Sequence, residues 1–542
     1  MKFSSITEAI FRRAKLTGDR LYIADSRNLE LSGYKFLASI LVMKSILEER
    51  NLGEIAIMLP TSSIGAVVNI AISSMGKRII NLNYTSSIES LKYAIELADI
   101  DSIVTSRLFI SKLKQRNFNI EPIFEGLHVI YLEDIKKDIS PLKKLKSYLT
   151  VRFIPIPFLL KLYVEDVTSK DTAIVMFSSG SEGTPKGIEL THENILGNIE
   201  QISPLLDIRE DDVMLGTLPI FHSFGLTVTT LFPLINGILV VCHSDPTDGY
   251  TIAKLSFKYK ATIMFGTPTF FRLYAKNRKI HPLMFESLRL VVAGAERLSK
   301  ETIELFRMRF LKDILQGYGT TETSPVATCN LPDRIDLDSF HIQRRNKPNS
   351  VGRPIIGTEF IVVEPESMRE LDIGEEGMLL ISGIQVMKGY LKDKKRSDEV
   401  IRNIGGKRYY MTGDKGYIDS DGFIYIVDRY SRFAKIGGEM VSLGAVEEQI
   451  SKLIDGSVAQ IAVTAISDSK KGEKIVALLE GDIKVETLKS AVKEAKIHPL
   501  YIPSEYFAVH EIPKLGTGKS DFRGIKRLAE ELSSNLLQKV KI

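Results

Sequence analysis

Residues 178–187 read SSGSEGTPKG, ten positions holding three glycines, three serines, a threonine and a lysine. They follow the apolar run Ala173, Ile174, Val175, Met176 and Phe177, which has the texture of a buried strand. Gly180 and Gly183 let a backbone bend and approach a ligand closely. Backbone N–H groups and the hydroxyls of Ser178, Ser179, Ser181 and Thr184 suit phosphate oxygens, and Lys186 adds a cation. Thr191 is placed to cap a following helix. The stretch reads as a phosphate cradle, although no GK[ST] closes it, so it is not a Walker A loop. A plain flexible Gly/Ser turn has the same composition.

Four further stretches carry candidate chemistry. In LPIFHSFG (218–225), Pro219 ends a strand and His222 sits among aromatics; a lone His is commonly structural, but strand ends are where open α/β sheets bind ligands. VVAGAE brings Gly294, Ala295 and Glu296 off one strand, and LQGYGTTE brings Gly317, Tyr318, Gly319, Thr321 and Glu322 off another. An aromatic ring between two glycines offers a flat face to a base, and Glu322 is a hard oxygen ligand suited to Mg²⁺ beside phosphates. In YYMTGDKG, Asp414 follows a glycine at a strand end, where a carboxylate accepts both hydroxyls of a ribose; a turn Asp is the plain alternative. PKLGTGKS (513–520) almost matches a Walker A loop, but Pro513 occupies the first glycine position and lacks the N–H a cradle needs. Lys519 therefore reads as a charge delivered by a glycine loop.

The elements that must position these groups follow from the pattern. Up to about residue 340, helical periodicities alternate with short apolar strands such as 54–59, 100–105, 129–132, 261–265 and 288–293, which predicts a largely parallel α/β sheet system. From 351 to 427 short strands (359–363, 377–382, 423–427) separated by Gly and Asp turns predict a small β-rich subdomain. DRYSRFAKIGGEMVSL then reads as a polar hinge, and the remainder as a compact α+β domain.

At 542 residues and 44% hydrophobic composition the chain needs more than one core. A net charge of +5 is too weak to argue for nucleic acid. Cys242 and Cys329 are its only cysteines, which excludes a disulfide framework and fits a reducing, cytoplasmic setting. Ile6, Ile10 and Phe11 against Arg12, Arg13 and Lys15 predict an amphipathic N-terminal helix, not a signal core. The apolar stretch 215–242 is interrupted by Pro219, His222, Pro233 and Gly237 and reads as core, not as a membrane span. Residues 139–164 contain Lys143, Lys144, Lys146, Arg152 and Lys161, no acidic residue, and many apolar ones. That composition suits either a solvated connector or contact with an anionic membrane; Pro155 and Pro157 argue against a regular helix and favour the connector.

The ordered set SSGSEGTPKG, GYGTTE, TGDKG, DRYSRFAKIGGEMVSL and PKLGTGKS resembles the adenylate-forming superfamily of acyl-CoA synthetases, peptide-synthetase adenylation domains and firefly luciferase. LPIFHSFGLT, VVAGAERL, RFAKIGGEMVSL and GTGKSDF resemble its acyl–acyl-carrier-protein synthetase branch, which includes the synthetase half of the bacterial acylglycerophosphoethanolamine acyltransferase. The wider family places Ile and Arg after its catalytic lysine, whereas Ser520, Asp521 and Phe522 follow here. The resemblance implies an adenylating N-terminal domain (1–427, with a β-rich subdomain at about 345–427) and a mobile C-terminal domain (428–542) hinged near 429–432. It implies ATP and Mg²⁺ as cofactors, with a fatty acid and acyl carrier protein (or CoA) as partners. In that scheme Lys519 reaches the α-phosphate, the 178–187 loop holds the outer phosphates, Thr321 bonds the α-phosphate and Glu322 binds Mg²⁺. Tyr318 stacks on adenine with 294–296 along its edge, Asp414 holds the ribose beside Arg429, Gly438 lines the thiol tunnel, and His222, Phe224 and 266–270 wall the acyl pocket. Ser431 falls at the pivot, where Asp or Lys is usual. His243 and Asp248 have the spacing of a glycerolipid acyltransferase pair but lie inside the adenylating domain, and are expected to be non-catalytic. A CoA ligase, a P-loop NTPase built on GTGKS and a non-catalytic lipid-binding protein of this fold are the competing readings.

Overall fold

The computed structural model describes residues 3–116, 118–179, 185–436, 439–454, 459–468, 472–495, 497–514 and 520–540, without the side chains of Ser179, Met440 and 535–540. The chain divides into two compact units. The first comprises Met1–Ile361, Leu380–Thr412 and Ile418–Tyr425; the second comprises Val362–Leu379, Gly413–Tyr417 and Ile426–Ile542.

Two sheets organise the first unit. One has nine strands in the order Arg353–Pro354, Val326–Cys329, Leu315–Gly319, Leu290–Ala293, Ile263–Gly266, Val213–Gly216, Leu239–Cys242, Leu21–Asp25 and Glu30–Ser32. From Leu315–Gly319 to Leu21–Asp25 all neighbours run parallel, and both edges are antiparallel. The second sheet runs Gly389–Tyr390, Pro185–Thr191, Thr172–Ser179, Ile79–Asn81, Glu54–Ile57, Ile100–Thr105 and His128–Tyr131. Its last five strands are parallel. Central strands such as LVVA at 290–293 and IMFG at 263–266 are short unbroken apolar runs, and every residue of these two is buried, as a sheet covered on both faces requires.

The covering helices start where short polar side chains cap them. Ser5, Ser32, Ser62, Thr267 and Ser299 each accept a hydrogen bond from an N–H in the first turn. Ile6–Thr17 is the expected N-terminal helix and buries Ile6, Ile10 and Phe11. The apolar stretch 215–242 lies inside this unit, as the end of a strand, a wide helical turn at Phe224–Leu231, the short helix Phe232–Asn236 and the strand Leu239–Cys242. The strand before Pro219 stops at Gly216, three residues earlier than the sequence suggests. Among the described residues no helix is long and apolar enough to cross a membrane.

Residues 139–164 depart from expectation. They form two helices, Pro141–Phe153 and Ile156–Tyr163. Pro155 and Pro157 do not abolish helicity; Pro155 is the N-cap of the second helix and Pro157 sits in its first turn, where a missing N–H costs nothing. Of the expected short strands, Glu359–Val363 and Gly377–Ser382 are present and the third runs Ile424–Arg429; Ile401–Ile404 and the longer Lys407–Ile418, not read from the sequence, lie between them. Ile401–Ile404 turns back on Lys407–Ile418 through Gly405 and Gly406, both at positive φ, the geometry of a tight hairpin.

In the second unit a sheet runs Glu439–Ser442, Phe433–Ile436, Gly472–Gly481 and Ala459–Asp468, with Glu505–Val509 parallel beside Gly472–Gly481. Alternation gives it a core on each face. Val463, Ala465, Ile475 and Leu479 pack with Val446, Ile450, Leu488 and Val492 on one side. Ala462, Ile466, Val476 and Leu478 pack with Ile525 and Ala529 on the other.

Candidate active site

The described residues at either end of the phosphate loop belong to two antiparallel strands. Thr172–Ser179 pairs with Pro185–Thr191, with Ser178 opposite Lys186 and Phe177 opposite Gly187. Gly180, Ser181, Gly183 and Thr184 lie outside the described residues, as does the side chain of Ser179. The helix predicted after Thr191 is present, and Thr191 and Asn194 cap it reciprocally. The return strand was not legible, because Pro-Lys-Gly reads as a turn. Ladders on both its sides, to Thr172–Ser179 and to Gly389–Tyr390, override that local preference. Lys186 is therefore a strand residue, and its Nζ lies 5.1 Å from the centre of the Tyr390 ring. Gly187 is small for packing: a Cβ there would stand 3.0 Å from that of Leu391, whose N–H donates to the Gly187 carbonyl.

Gly317, Tyr318 and Gly319 also lie within a strand, not beyond its end as the sequence reading had it, because Val326–Cys329 folds back and pairs with them. Gly319 is forced: a Cβ would fall 1.7 Å from the Pro325 carbonyl oxygen. The chain leaves the ladder at Thr320. Thr320 and Thr323 hydrogen-bond reciprocally and close a tight turn over Thr321–Thr323. Segment 383–391 holds that turn from the side. Ser324 donates to the Gln385 carbonyl, Met387 N–H donates to the Glu322 carbonyl at 2.8 Å, and the Tyr390 hydroxyl donates to Glu322 Oε1 at 3.2 Å. Burial, reinforced by the Glu322 carboxylate, raises the Tyr390 hydroxyl pKa, so it stays a donor. Tyr390 thus joins the Lys186 strand to the Glu322 turn.

Thr321 also meets the 218–225 stretch, because Ser223 Oγ donates to Thr321 Oγ1 at 3.4 Å. His222 packs against Phe221 with ring centres 4.5 Å apart, and Phe221 meets Tyr84 edge-on at 4.7 Å. Phe224 lies against Gly294, where a Cβ would come within 3.1 Å of its ring, and meets Phe265 edge-on at 6.0 Å. Gly294 follows its strand as expected, donating to the Gly266 carbonyl at 3.1 Å, and Ala295 takes a left-handed conformation at φ 73°. Glu296 Oε2 accepts from the Thr269 hydroxyl at 2.7 Å and from its N–H at 3.3 Å, at the N-terminus of the helix Pro268–Lys276. The first unit therefore gathers Lys186, Glu322, Thr321, His222, Phe224 and 294–296 along one connected chain of contacts at the carboxyl ends of the parallel strands, where such folds bind ligands.

In the second unit, Asp414 is 2% exposed and accepts from Arg429 Nε at 2.9 Å, so the ribose pair of the sequence reading is in contact. Asp414 lies inside the strand Lys407–Ile418, not at a strand end as expected; Gly413, at φ 73°, takes up the irregularity within the run. Asp428 next to Arg429 accepts from the Ser442 hydroxyl and from the N–H groups of Arg429 and Gly444. Ser431 lies in the tight turn Tyr430–Arg432. Arg432 pairs with Glu447 at 2.9 Å and stacks over Phe522 at 4.2 Å. Lys519 and Gly438 lie outside the described residues. Lys514 and Ser520, which flank 515–519, pair in a β-bridge.

His243 and Asp248 approach to 3.6 Å, but Asp248 caps the helix Gly249–Tyr259 by accepting from Thr251 N–H, and His243 Nδ1 is 2.8 Å from Ser26 Oγ. Burial lowers the His243 pKa. The pair has an evident structural role. Among the described residues no group of three or more His, Cys, Asp and Glu side chains could hold a metal ion.

Sequence reasoning missed Tyr390, Ser223 and Thr269. Tyr390 is 68 residues from its partner Glu322, so no local spacing announces it. Ser223 is inside a stretch already singled out, one residue from His222, and only the fold shows that it faces Thr321.

Comparison with known proteins places the chain in a family. A long-chain-fatty-acid–CoA ligase from Bacillus subtilis is 30% identical over 372 residues, 67% of this chain and 62% of that protein. The chain thus matches about three-fifths of the length of that relative. A 4-coumarate:CoA ligase 1 from Petunia hybrida is 28% identical over 534 residues, covering 95% of this chain and 91% of its own. Among solved structures, ATP-bound MatB from Rhodopseudomonas palustris superposes with a TM-score of 0.79 at 22% identity, covering 97% of this chain and 99% of that one. MenE from Bacillus subtilis, in complex with its acyl-adenylate intermediate, gives 0.77 at 22% identity, covering 95% and 97%. These structures establish a shared α/β fold with a large N-terminal and a smaller C-terminal domain. The profile of the AMP-binding enzyme family matches residues 32–391, and the chain belongs to that family.

Proposed function

We propose that this chain is an AMP-forming acid–thiol ligase that activates a fatty acid as acyl-AMP and passes the acyl group to the phosphopantetheine thiol of acyl carrier protein. The observation that carries the reading is Tyr390: its hydroxyl holds the Glu322 carboxylate while its ring lies beneath the Lys186 ammonium, so a cation and a carboxylate from separate motifs share one anchor.

In the first step a carboxylate oxygen of the acid attacks the α-phosphorus of ATP. The α–β phosphoanhydride bond breaks and pyrophosphate leaves. Charge gathers on phosphate oxygens, so the protein's contribution is positioning and electrostatics. The 178–187 loop, with Lys186, holds the outer phosphates, and Thr321 bonds the α-phosphate. Tyr318 stacks on adenine, and Asp414 with Arg429 holds the ribose. Lys519 reaches the α-phosphate. Mg²⁺ fits Glu322 chemically: it is commonly held by one or two carboxylates together with substrate phosphates, not by an all-protein cage. When bound there it offsets phosphate charge.

In the second step the thiol sulfur attacks the acyl carbonyl, AMP leaves and a thioester forms. A C-terminal domain from about 428, pivoting near Ser431 between the two steps, would withdraw Lys519 and bring Gly438 to the thiol path. A cytoplasmic setting suits both proposed acceptors.

CoA is the second reading for the acceptor, favoured by the fact that the matched curated relatives bear the names of CoA ligases. The test supplies ATP, a fatty acid and either acceptor to the purified chain and identifies the products. AMP with acyl-carrier-protein thioester supports the proposal, and thioester with CoA alone moves it to the second reading. ADP in place of AMP points to a P-loop NTPase, and no nucleotide turnover to a lipid-binding protein; either refutes both ligase readings.

A further inference from the structure

We propose that the outer face of the helix pair Pro141–Phe153 and Ile156–Tyr163 docks on an anionic lipid surface. The inference is independent of which acceptor or acid the site takes.

The pair already has a satisfied inner face. Val151 and Leu159 are fully buried, and Tyr148, Ile156, Leu160 and Tyr163 pack against the main core. Lys15 donates to the carbonyls of Val151 and Arg152, and Arg152 and Tyr148 both bond Asp19, at 2.7 and 3.3 Å. The segment is anchored without its outer side chains.

Those outer side chains are large and apolar. Leu142, Leu145, Leu149 and Phe153 are 75%, 54%, 43% and 72% exposed, and Phe158 and Leu162 are 60% and 62% exposed. At about 100° per residue, the first four fall within an arc of roughly 80° on one helix. Lys146 flanks that arc, a position from which its basic head reaches lipid phosphates while the stripe sinks beside it. A row of exposed leucines and phenylalanines on an anchored helix is unfavourable in water and marks a contact surface.

Charge selects the occupant. Residues 139–164 contain five basic side chains and no acidic one. Lys143 pairs with Glu49 and Arg152 with Asp19. Lys144, Lys146 and Lys161 make no ion pair among the described residues. A second copy of this chain would set this basic face against itself in a two-fold contact, which repels. An anionic bilayer surface attracts it. The helices, at 13 and 8 residues, are too short to span.

The test is flotation of the purified chain with vesicles of phosphatidylcholine alone or mixed equally with phosphatidylglycerol. The expected result is flotation with the mixed vesicles only, weakening as salt is added. Removing a lysine near such a surface weakens partition roughly five-fold, so replacing Lys144, Lys146 and Lys161 by Ala should weaken it about a hundred-fold. Phe153→Ser with Phe158→Ser should abolish it while leaving the thermal midpoint unchanged. Phe257→Ser, at a 63% exposed Phe elsewhere, should float like the parent. Equal flotation of the parent and the Phe153/Phe158 variant, or none by the parent, overturns the proposal. So does concentration-dependent self-association that the double variant loses, which would assign the face to a second copy.

Discussion

Tyr390→Phe tests the anchor on which the active-site reading turns. The substitution removes one oxygen and keeps the ring, so the packing of a side chain that is 5% exposed and its contact with Lys186 at 5.1 Å both survive. What is lost is the hydroxyl bond to Glu322 Oε1 at 3.2 Å, together with the hydrogen bond between this hydroxyl and Tyr410. A hydrogen bond to a charged group contributes about 1.5–3 kcal/mol, and a separation at the long end of the normal range argues for the lower limit, about 1.5 kcal/mol. That corresponds to roughly a tenfold loss, the lower end of the effect expected when a group orienting a metal ligand is removed. The assay is fatty-acid-dependent ATP–pyrophosphate exchange across a Mg²⁺ titration. The half-saturating Mg²⁺ concentration should rise about tenfold, with exchange largely recovered at high Mg²⁺. Because burial and the carboxylate keep this hydroxyl protonated, the shift should be the same at neutral and mildly alkaline pH. An unchanged Mg²⁺ dependence, with exchange intact, would refute the role given to Tyr390 and weaken that of Glu322.

Burial lowers the His192 pKa from 6.5 to about 4, and its Nδ1 accepts from Ile6 N–H. The unfolded chain protonates first as pH falls through about 6.5, so stability should be lost between there and about 4, by at most ~3 kcal/mol; His192→Asn should flatten that part of a pH–stability curve. Gly319→Ala drives a Cβ toward the Pro325 carbonyl oxygen and should cost about 3 kcal/mol by chemical denaturation, with a matching loss of exchange activity. Asp428→Ala strips acceptors from Ser442, Arg429 and Gly444 and should cost about 3 kcal/mol, visible as faster amide exchange in the helix Leu443–Ser451.

Parallel strands such as those at 54–57, 100–105, 263–266 and 290–293 were legible because each is a compact apolar run bounded by turn residues, and the helix after Thr191 was legible from the hydroxyl that caps it. Pro185–Thr191 and the Gly317–Gly319 ladder were not, since glycine and proline argue for turns locally and only a partner strand far along the chain reverses that preference. Pro155 and Pro157 misled in the opposite sense: proline breaks a helix interior but suits a helix start, and one sequence does not say which position it occupies. Candidate residues standing in motifs, such as Glu322 and Asp414, could be named from the sequence. Tyr390 could not, because its value comes from a tertiary contact with no sequence period.

The central claim is that this chain adenylates a carboxylic acid. The most direct measurement is fatty-acid-dependent exchange of labelled pyrophosphate into ATP by the purified chain and its Lys519→Ala variant. The account predicts exchange that requires the fatty acid and Mg²⁺ and is abolished in the variant. Exchange that persists in Lys519→Ala would contradict the role assigned to that lysine, and no exchange by the parent chain with any fatty acid would contradict the claim itself.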